Sequence, residues 1–337
     1  MGHKRLPEDK VIAILKGLFV ENKGCTQLAL EVLGRKSRES SIRHIKNVYE
    51  KHGNYFGVSL DGVDVKIKPK QKCKYPHPKV LLIDLETAPC KMYGWSLWNQ
   101  NFGLNQIESE WFILSYCAKW LGSDDVIYND LKGKVDTEDD YQLLSELWEL
   151  MNQADIVVGQ NHRRFDIKRL NARLIMNGFR PYSPVKTEDT LDIAKRKFGF
   201  TSNKLEWMTD KLCVEFKKQK HGQFAGFELW KQCLLENEDA WNEMKIYNIF
   251  DVLSLEELWL KLRAWDDRSV NYTLYLDDTN IRCTCGSTHL VKDGFAYTSL
   301  SKFQQYRCED CNSFIRGRVN LFSKEKRTSL LMNVTNR

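Results

Sequence analysis

Between Val80 and Gly159 the sequence holds four short apolar runs: Val80 to Ile83, Trp111 to Ala118, Asp125 to Tyr128 and Ile156 to Gly159. Each is short and bounded by polar or turn-forming residues, the pattern of strands buried in a sheet. Tyr141 to Gln153 instead carries its apolar residues at helical spacing. Strand-like runs alternating with amphipathic stretches predict a mixed α/β domain over residues 79–265. At 337 residues the chain exceeds one such domain, so a second and third unit are expected outside it.

Composition narrows the class. The longest apolar stretch, Val11 to Val20, is interrupted by Lys16, which excludes a transmembrane helix. The first ten residues are charged and lack an apolar core before a small-residue cleavage site, so the expected compartment is cytoplasmic, with no membrane partner. Six of the ten cysteines, Cys25, Cys73, Cys90, Cys117, Cys213 and Cys233, lie singly, whereas Cys283, Cys285, Cys308 and Cys311 cluster. This reads as six reduced thiols and one metal site. The net charge of +6 is unevenly spread. Residues 1–78 carry 16 Lys and Arg against 8 Asp and Glu, residues 79–265 carry 24 against 29, and residues 266–337 carry 11 against 8. Basic flanks around an acidic middle suit a protein whose ends hold a polyanion while its centre gathers carboxylates for cations.

Residues 1–60 read as a three-helix module resembling a helix-turn-helix. Val11, Ile12, Leu15, Leu18 and Phe19 give one apolar face. Thr26 can cap a second helix that Gly34 can end, and Ser37 or Ser40 can start a third. On the third, Ile42, Ile45, Val48 and Tyr49 form the apolar face, with Arg38, Arg43 and Lys46 off it, as nucleic-acid contacts from a recognition helix require. Scaffolding or partner docking accounts for the same periodicity. Residues 61–78 read as an extended basic linker with alternating lysines from Lys66 to Lys74. Lys217 to Lys220 form a charge run that either follows phosphates or is simply solvated.

Three segments of the central domain carry the chemistry. Asp84 and Glu86 stand two apart after the first strand and so share a face. Paired carboxylates repel unless a cation lies between them. Asp166 falls near the start of the helix after Gly159, where the helix dipole also favours an acid. Tyr247 and Asp251 lie one turn apart on a helix, among Phe250, Leu253 and Leu258, where burial of an unneutralised carboxylate would be costly. Asp189 and Asp192 are rivals as ligands, but Thr187-Glu-Asp-Thr-Leu-Asp reads as a helix start.

Asp84-x-Glu86, then Asn161-x-x-x-Phe165-Asp166, then Tyr247-x-x-x-Asp251, in that order, resembles the DEDD superfamily of 3′ to 5′ exonucleases with the ribonuclease-H-like fold. Asp84-Leu-Glu86-Thr-Ala-Pro89, Asp189-Thr-Leu, Ser202-Asn203-Lys204-Leu205-Glu206 and Tyr247 look most like the proofreading domain of family B DNA polymerases. The residue before Tyr247 is Ile246 rather than histidine, which places the resemblance in the tyrosine subgroup. It implies a ribonuclease-H-like mixed sheet with flanking helices and two Mg²⁺ or Mn²⁺ ions. Asp84 would bridge both, Glu86 and Asp251 would complete the coordination of the first ion, and Asp166 would hold the second ion. It further implies that Tyr247 orients the attacking water, Asn161 contacts the terminal nucleotide and Phe165 supports Asp166. The expected substrate is nucleic acid with a 3′ end, DNA in the first instance, with a replication or repair protein as a further partner. Because only 72 residues follow residue 265, a free-standing nuclease or a subunit is expected rather than a full polymerase.

Beyond a connector at 266–280, residues 281–318 resemble a zinc ribbon, followed by a basic tail at 319–337. Cys283-x-Cys285 and Cys308-x-x-Cys311 supply four thiolates for Zn²⁺. The first knuckle is one residue short of the usual spacing, so His289 is an alternative ligand to Cys283 or Cys285. Competing functional readings are a ribonuclease or structure-specific endonuclease on the same fold, and a DNA-binding regulator with an inactive central domain.

Overall fold

The computed structural model describes residues 6–19, 23–35, 39–52, 78–134, 138–216 and 222–334. The chain begins with α1 (Glu8–Phe19), α2 (Cys25–Leu33) and α3 (Glu39–His52). It continues through β1 (Val80–Thr87), β2 (Lys91–Met92), β3 (Ile107–Ser109), β4 (Ile113–Trp120), β5 (Val126–Asp130), α4 (Tyr141–Gln153), β6 (Ile156–Gly159), α5 (Asp166–Met176) and β7 (Lys186–Asp189). Four helices follow, α6 (Thr190–Lys197), α7 (Leu205–Leu212), α8 (Phe227–Leu234) and α9 (Glu238–Arg263). The chain ends with β8 (Leu290–Thr298), β9 (Ser301–Cys308), β10 (Phe314–Arg316) and α10 (Lys324–Ser329). Arg38, most of the basic linker and the run Lys217 to Lys220 fall outside the described residues.

The central sheet has the order β5-β4-β1-β6-β7. β1 pairs antiparallel with β4 and parallel with β6, β4 pairs antiparallel with β5, and β6 pairs parallel with β7. β1 is the central strand, and both its faces are covered. Leu81, Ile83 and Leu85 enter a core with Leu143, Leu147, Leu170, Trp241 and Met244, from α4, α5 and the first half of α9. Val80 and Leu82 enter a second core with Ile193, Met208, Leu255 and Trp259, from α6, α7 and the second half of α9. The two-residue period of the strand thus divides its apolar side chains between two layers. Because α9 serves both cores, it is apolar on more than one side, as a helix enclosed by its neighbours must be.

β1 runs four residues beyond the predicted apolar run, so Asp84 and Glu86 lie within the strand rather than after it. The cause is continued pairing with β4, which sets Cys117 opposite Asp84 and Ser115 opposite Glu86. β4 likewise continues to Trp120 and includes a buried lysine, Lys119, whose Nζ meets Glu256 Oε2 of α9 at 2.6 Å. Such a charge is tolerated in the interior only because it is paired.

The N-terminal helices form a core of their own from Ile14, Leu15, Leu18, Leu28, Ile42, Ile45 and Tyr49. Close approach of α1 to α2 depends on Gly17, where a Cβ would lie 2.3 Å from Leu28 Cδ2. Gly34 ends α2 in the left-handed conformation as expected, but the N-cap is Gly24 and Thr26 lies inside the helix. Ser40 is inside α3, which starts at Glu39. Val48 departs from the predicted face: it packs with Phe216, Phe250 and Leu253, so α3 also rests on α9. Arg43 is exposed and Lys46 half-buried. No helix among the described residues is long and apolar enough to cross a membrane.

Candidate metal centre

Asp84 and Glu86 come from the central strand and Asp251 from the middle of α9, and their carboxylates each bring an oxygen within 4.8 Å of the others. Asp84 and Glu86 are half-buried and Asp251 is buried. The strand period aligns the first two, and the packing of α9 across the sheet delivers the third. Two neutral donors hold the group. Asn248 Nδ2 donates to Asp84 Oδ2 at 2.7 Å, and Trp230 Nε1, from α8, donates to Glu86 Oε2 at 3.2 Å. Neither donor neutralises the converging negative charge, which a divalent cation would relieve. An all-carboxylate donor set suits Mg²⁺ or Mn²⁺, so the residues fit the ions expected for this site.

Asp166 lies beside this triad without joining its tight cluster. It is the first residue of α5, and its Oδ1 accepts the N–H of Leu85, between the two β1 acids, at 3.0 Å. Burial first, and then the Asp84 charge, push its carboxyl up to about 8. The negative field also reaches the β4 thiol opposite Asp84. Cys117 is wholly buried, and its thiol is held well above the ordinary range by burial and then by Asp84 and Asp251. That makes it an inert thiol.

Tyr247 is half-buried one turn before Asp251 and meets the Trp230 ring edge-on, with centroids 6.1 Å apart. Trp230 therefore touches both Glu86 and Tyr247. Asn161 takes a left-handed φ of 60°, a conformation that asparagine tolerates. Its N–H donates to Asp189 Oδ1 at 2.8 Å, the Arg163 N–H donates to Asp189 Oδ2 at 3.2 Å, and the Leu191 N–H donates to Oδ1 at 3.0 Å. Asp189 thus clamps the loop that leads to Asp166 and caps α6. Phe165 is 37% exposed, so it is not a core residue, and the Arg169 guanidinium lies between its ring and that of Trp111, at 5.3 Å and 4.0 Å.

Sequence reasoning missed Asn248, Trp230 and the clamping role of Asp189. Asn248 left one signal, a polar residue among the apolar neighbours Ile246, Ile249 and Phe250. Trp230 left none, because its value depends on α8 packing against α9.

The four clustered cysteines form a second centre. Cys283 Sγ is 3.5 Å from Cys311 Sγ, and Cys285 Sγ is 3.8 Å from Cys308 Sγ. All four sulfurs lie within 4.8 Å of one another. A disulfide would bring two sulfurs to about 2.0 Å, whereas Zn–S bonds of about 2.3 Å in a tetrahedron separate sulfurs by roughly 3.8 Å. The thiols fit Zn²⁺. His289 stands apart from the sulfur cluster, with Nδ1 at 3.2 Å from Asp310 Oδ2, so the short first knuckle is accommodated without it.

The fold and these centres define a mixed α/β protein with one carboxylate and one thiol group able to hold metals. No family model matches the sequence, and no curated protein matches it. Among solved structures, the family B DNA polymerase from the hyperthermophilic archaeon Pyrobaculum calidifontis is similar to 58% of this chain at 14% identity, with a TM-score of 0.42. The match spans 26% of that polymerase, and similarity at this level carries no argument by itself.

Proposed function

We propose that the chain is a metal-dependent 3′ to 5′ exonuclease of the DEDD superfamily, tyrosine subgroup, hydrolysing phosphodiester bonds at the 3′ end of DNA. The observation that carries this reading is the convergence of Asp84, Glu86 and Asp251 within 4.8 Å, beside Asp166 and Tyr247. A five-stranded mixed sheet with the acids on its central strand suits a ribonuclease-H-like domain.

Asp84, Glu86 and Asp251 would hold one Mg²⁺ or Mn²⁺ ion, and Asp84 with Asp166 a second. When bound, such a pair supplies Lewis-acid stabilisation of the attacking and leaving oxygens of an in-line displacement. The chain's own contribution is orientation. Asn248 fixes the rotamer of Asp84 and Trp230 fixes that of Glu86, so the carboxylates are arranged before substrate arrives. Tyr247, braced by Trp230, orients the attacking water; a phenol with an ordinary pKa near 10 is a poor base at neutral pH, so it positions rather than deprotonates. Asn161 contacts the terminal nucleotide from a loop that Asp189 holds in place. Phe165, the residue before Asp166 at the start of α5, supports it.

The units around this domain serve delivery in the same reading. Cys283, Cys285, Cys308 and Cys311 hold a structural Zn²⁺, and the N-terminal helices, with Arg38, Arg43 and Lys46, grip nucleic acid.

The test is digestion of 3′-labelled and 5′-labelled single strands, as DNA and RNA in parallel, with Mg²⁺. Immediate release of a labelled mononucleotide from the 3′ label, with a descending ladder from the 5′ label, is expected on DNA. Internal cuts would favour an endonuclease, and faster loss of RNA a ribonuclease. Absence of Mg²⁺-dependent hydrolysis would leave the nucleic-acid-binding regulator.

A further inference from the structure

Between β1 and β4 the chain leaves the sheet through residues 88–112 and returns, closed at its base by the Ala88 N–H donating to Phe112 O at 2.9 Å and by β2 pairing with β3. The head of this excursion carries large apolar side chains that face solvent. Trp95 is 96% exposed, Leu97 91% and Trp98 81%, with Tyr93 and Leu104 also exposed. Water contact with that much apolar surface is unfavourable, and a concentration of it marks an interaction site.

The loop is built to present these side chains. Gln100 Oε1 accepts the N–H groups of Trp95 and Ser96 at 2.8 and 2.9 Å, and Ser96 Oγ donates to Trp98 O at 2.9 Å. Gln106 bridges the other limb, donating to Tyr93 O and accepting from the Gly103 N–H, both at 2.8 Å. At Gly94 a Cβ would lie 2.6 Å from Gln100 Nε2 and 2.9 Å from the Phe102 ring, so a larger residue would have to displace these two side chains. A set of polar side chains spent on the backbone, with the rings left outside, is the opposite of hydrophobic collapse.

Position and charge select the occupant. The excursion starts immediately after the β1 segment bearing Asp84 and Glu86, and β4, on which it returns, places Ser115 opposite Glu86. Its base therefore lies beside the carboxylate centre. Its only cation, Lys91, is engaged with Glu138 at 3.2 Å, and its other charges are the exposed acids Glu108 and Glu110. Such a surface does not attract phosphates, so a polyanion held here is held by its bases. Flat aromatic faces stack on any base, which suits an enzyme that processes every sequence.

We propose that the 93–104 loop is a stacking platform for the bases of single-stranded nucleic acid, engaging the strand next to the nucleotide being cleaved. This rests on the nuclease reading of the neighbouring centre. The test uses full-length protein carrying Asp84→Asn, with Mg²⁺, and a fluorescein-labelled oligothymidylate followed by anisotropy. Adding Trp95→Ala and Trp98→Ala should weaken binding at least tenfold, as loss of two stacking contacts requires. Trp95→Phe with Trp98→Phe should stay within about threefold of the parent, because the rings keep their faces. Both tryptophans are solvent-exposed, so these substitutions remove no core contact; thermal unfolding should be unchanged.

Equal affinity of the alanine variant and its parent would overturn the platform. So would a parent that sediments as a dimer and an alanine variant that sediments as a monomer, since the occupant would then be a second copy. Hydrolysis of thymidine 5′-phosphate p-nitrophenyl ester by wild-type protein tests the nuclease reading separately. Failure there with tight, tryptophan-dependent strand binding would sink the nuclease and keep the platform.

Discussion

The two candidate metal centres are assembled in opposite ways. The carboxylate group draws residues 84, 86 and 251 from a strand and a helix far apart in sequence, each fixed by a core on one or both sides of the sheet. The thiol group draws residues 283 to 311 from two short knuckles on a three-stranded sheet, where Phe303 and Cys308 are the buried members of the long strand β9. One centre is held open by a fold that exists without metal. The other substitutes for a core that the module is too small to form. On the proposed reading, metal at the first would supply chemistry, and metal at the second would supply folding.

Removing zinc should therefore produce the largest effect on structure. Cys308→Ser, or exhaustive chelation, should unfold residues 283–318, because structural zinc sites contribute on the order of 10 kcal/mol to such modules. Limited proteolysis would show cleavage confined to that segment, with residues 79–265 resistant. Digestion of both units together would mean that the ribbon is part of the central core.

The converse experiment is Asp84→Ala or Asp251→Ala. Turnover should fall by far more than tenfold while zinc content, thermal stability and strand binding stay near wild type, because a metal acts more on the transition state than on the ground state. Retention of more than about a tenth of the activity, a contribution below roughly 1.4 kcal/mol, would dissolve the two-metal assignment.

Tyr247→Phe should be milder still, with a loss of roughly ten- to a thousandfold in kcat and little change in KM, as expected for a group that aligns water. An unchanged kcat would assign Tyr247 to packing against Trp230.

The smallest effect is one of pH. In metal-free protein the Asp166 carboxyl titrates near 8, above its ordinary value of 3.8, so between those limits the folded state binds more protons than the unfolded one. This group then makes stability fall as pH rises through that interval. A cation at the centre favours the carboxylate and removes the penalty, so the Tm gain on adding Mg²⁺ should be larger at pH 8.5 than at pH 5.5. Asp166→Asn should flatten the difference. Scanning calorimetry at both pH values would check it, and an equal gain would detach Asp166 from the metal.

Much of the framework was legible as pattern. The helix at Tyr141–Gln153, the strand at Ile156–Gly159 and the position of Asp166 at a helix start follow from apolar periodicity and dipole chemistry, both local properties. The four cysteines were legible because their spacing is itself local, and their sulfurs converge while His289 meets Asp310. Strand ends were less legible: β1 outruns its apolar stretch by pairing Asp84 with Cys117 and Glu86 with Ser115, and β4 outruns its own by pairing Lys119 with Leu82 and Trp120 with Leu81, and pairing is not a property of either segment alone.

What the residues determined by themselves is periodicity and spacing: that Asp84 and Glu86 share a face, that Tyr247 and Asp251 share a helix side, that two knuckles can enclose one ion. Tertiary structure decided which of these meet. α9 crosses β1 so that Asp251 reaches Asp84, Asn248 and Trp230 become the donors that hold the acids, Val48 turns from its own bundle to α9, and Trp95 and Trp98 stay in solvent. The reason is one of range. Helix and strand periods act over a few residues and are carried in the chain's order, whereas convergence of groups 165 positions apart depends on how whole layers bury their apolar faces against one another.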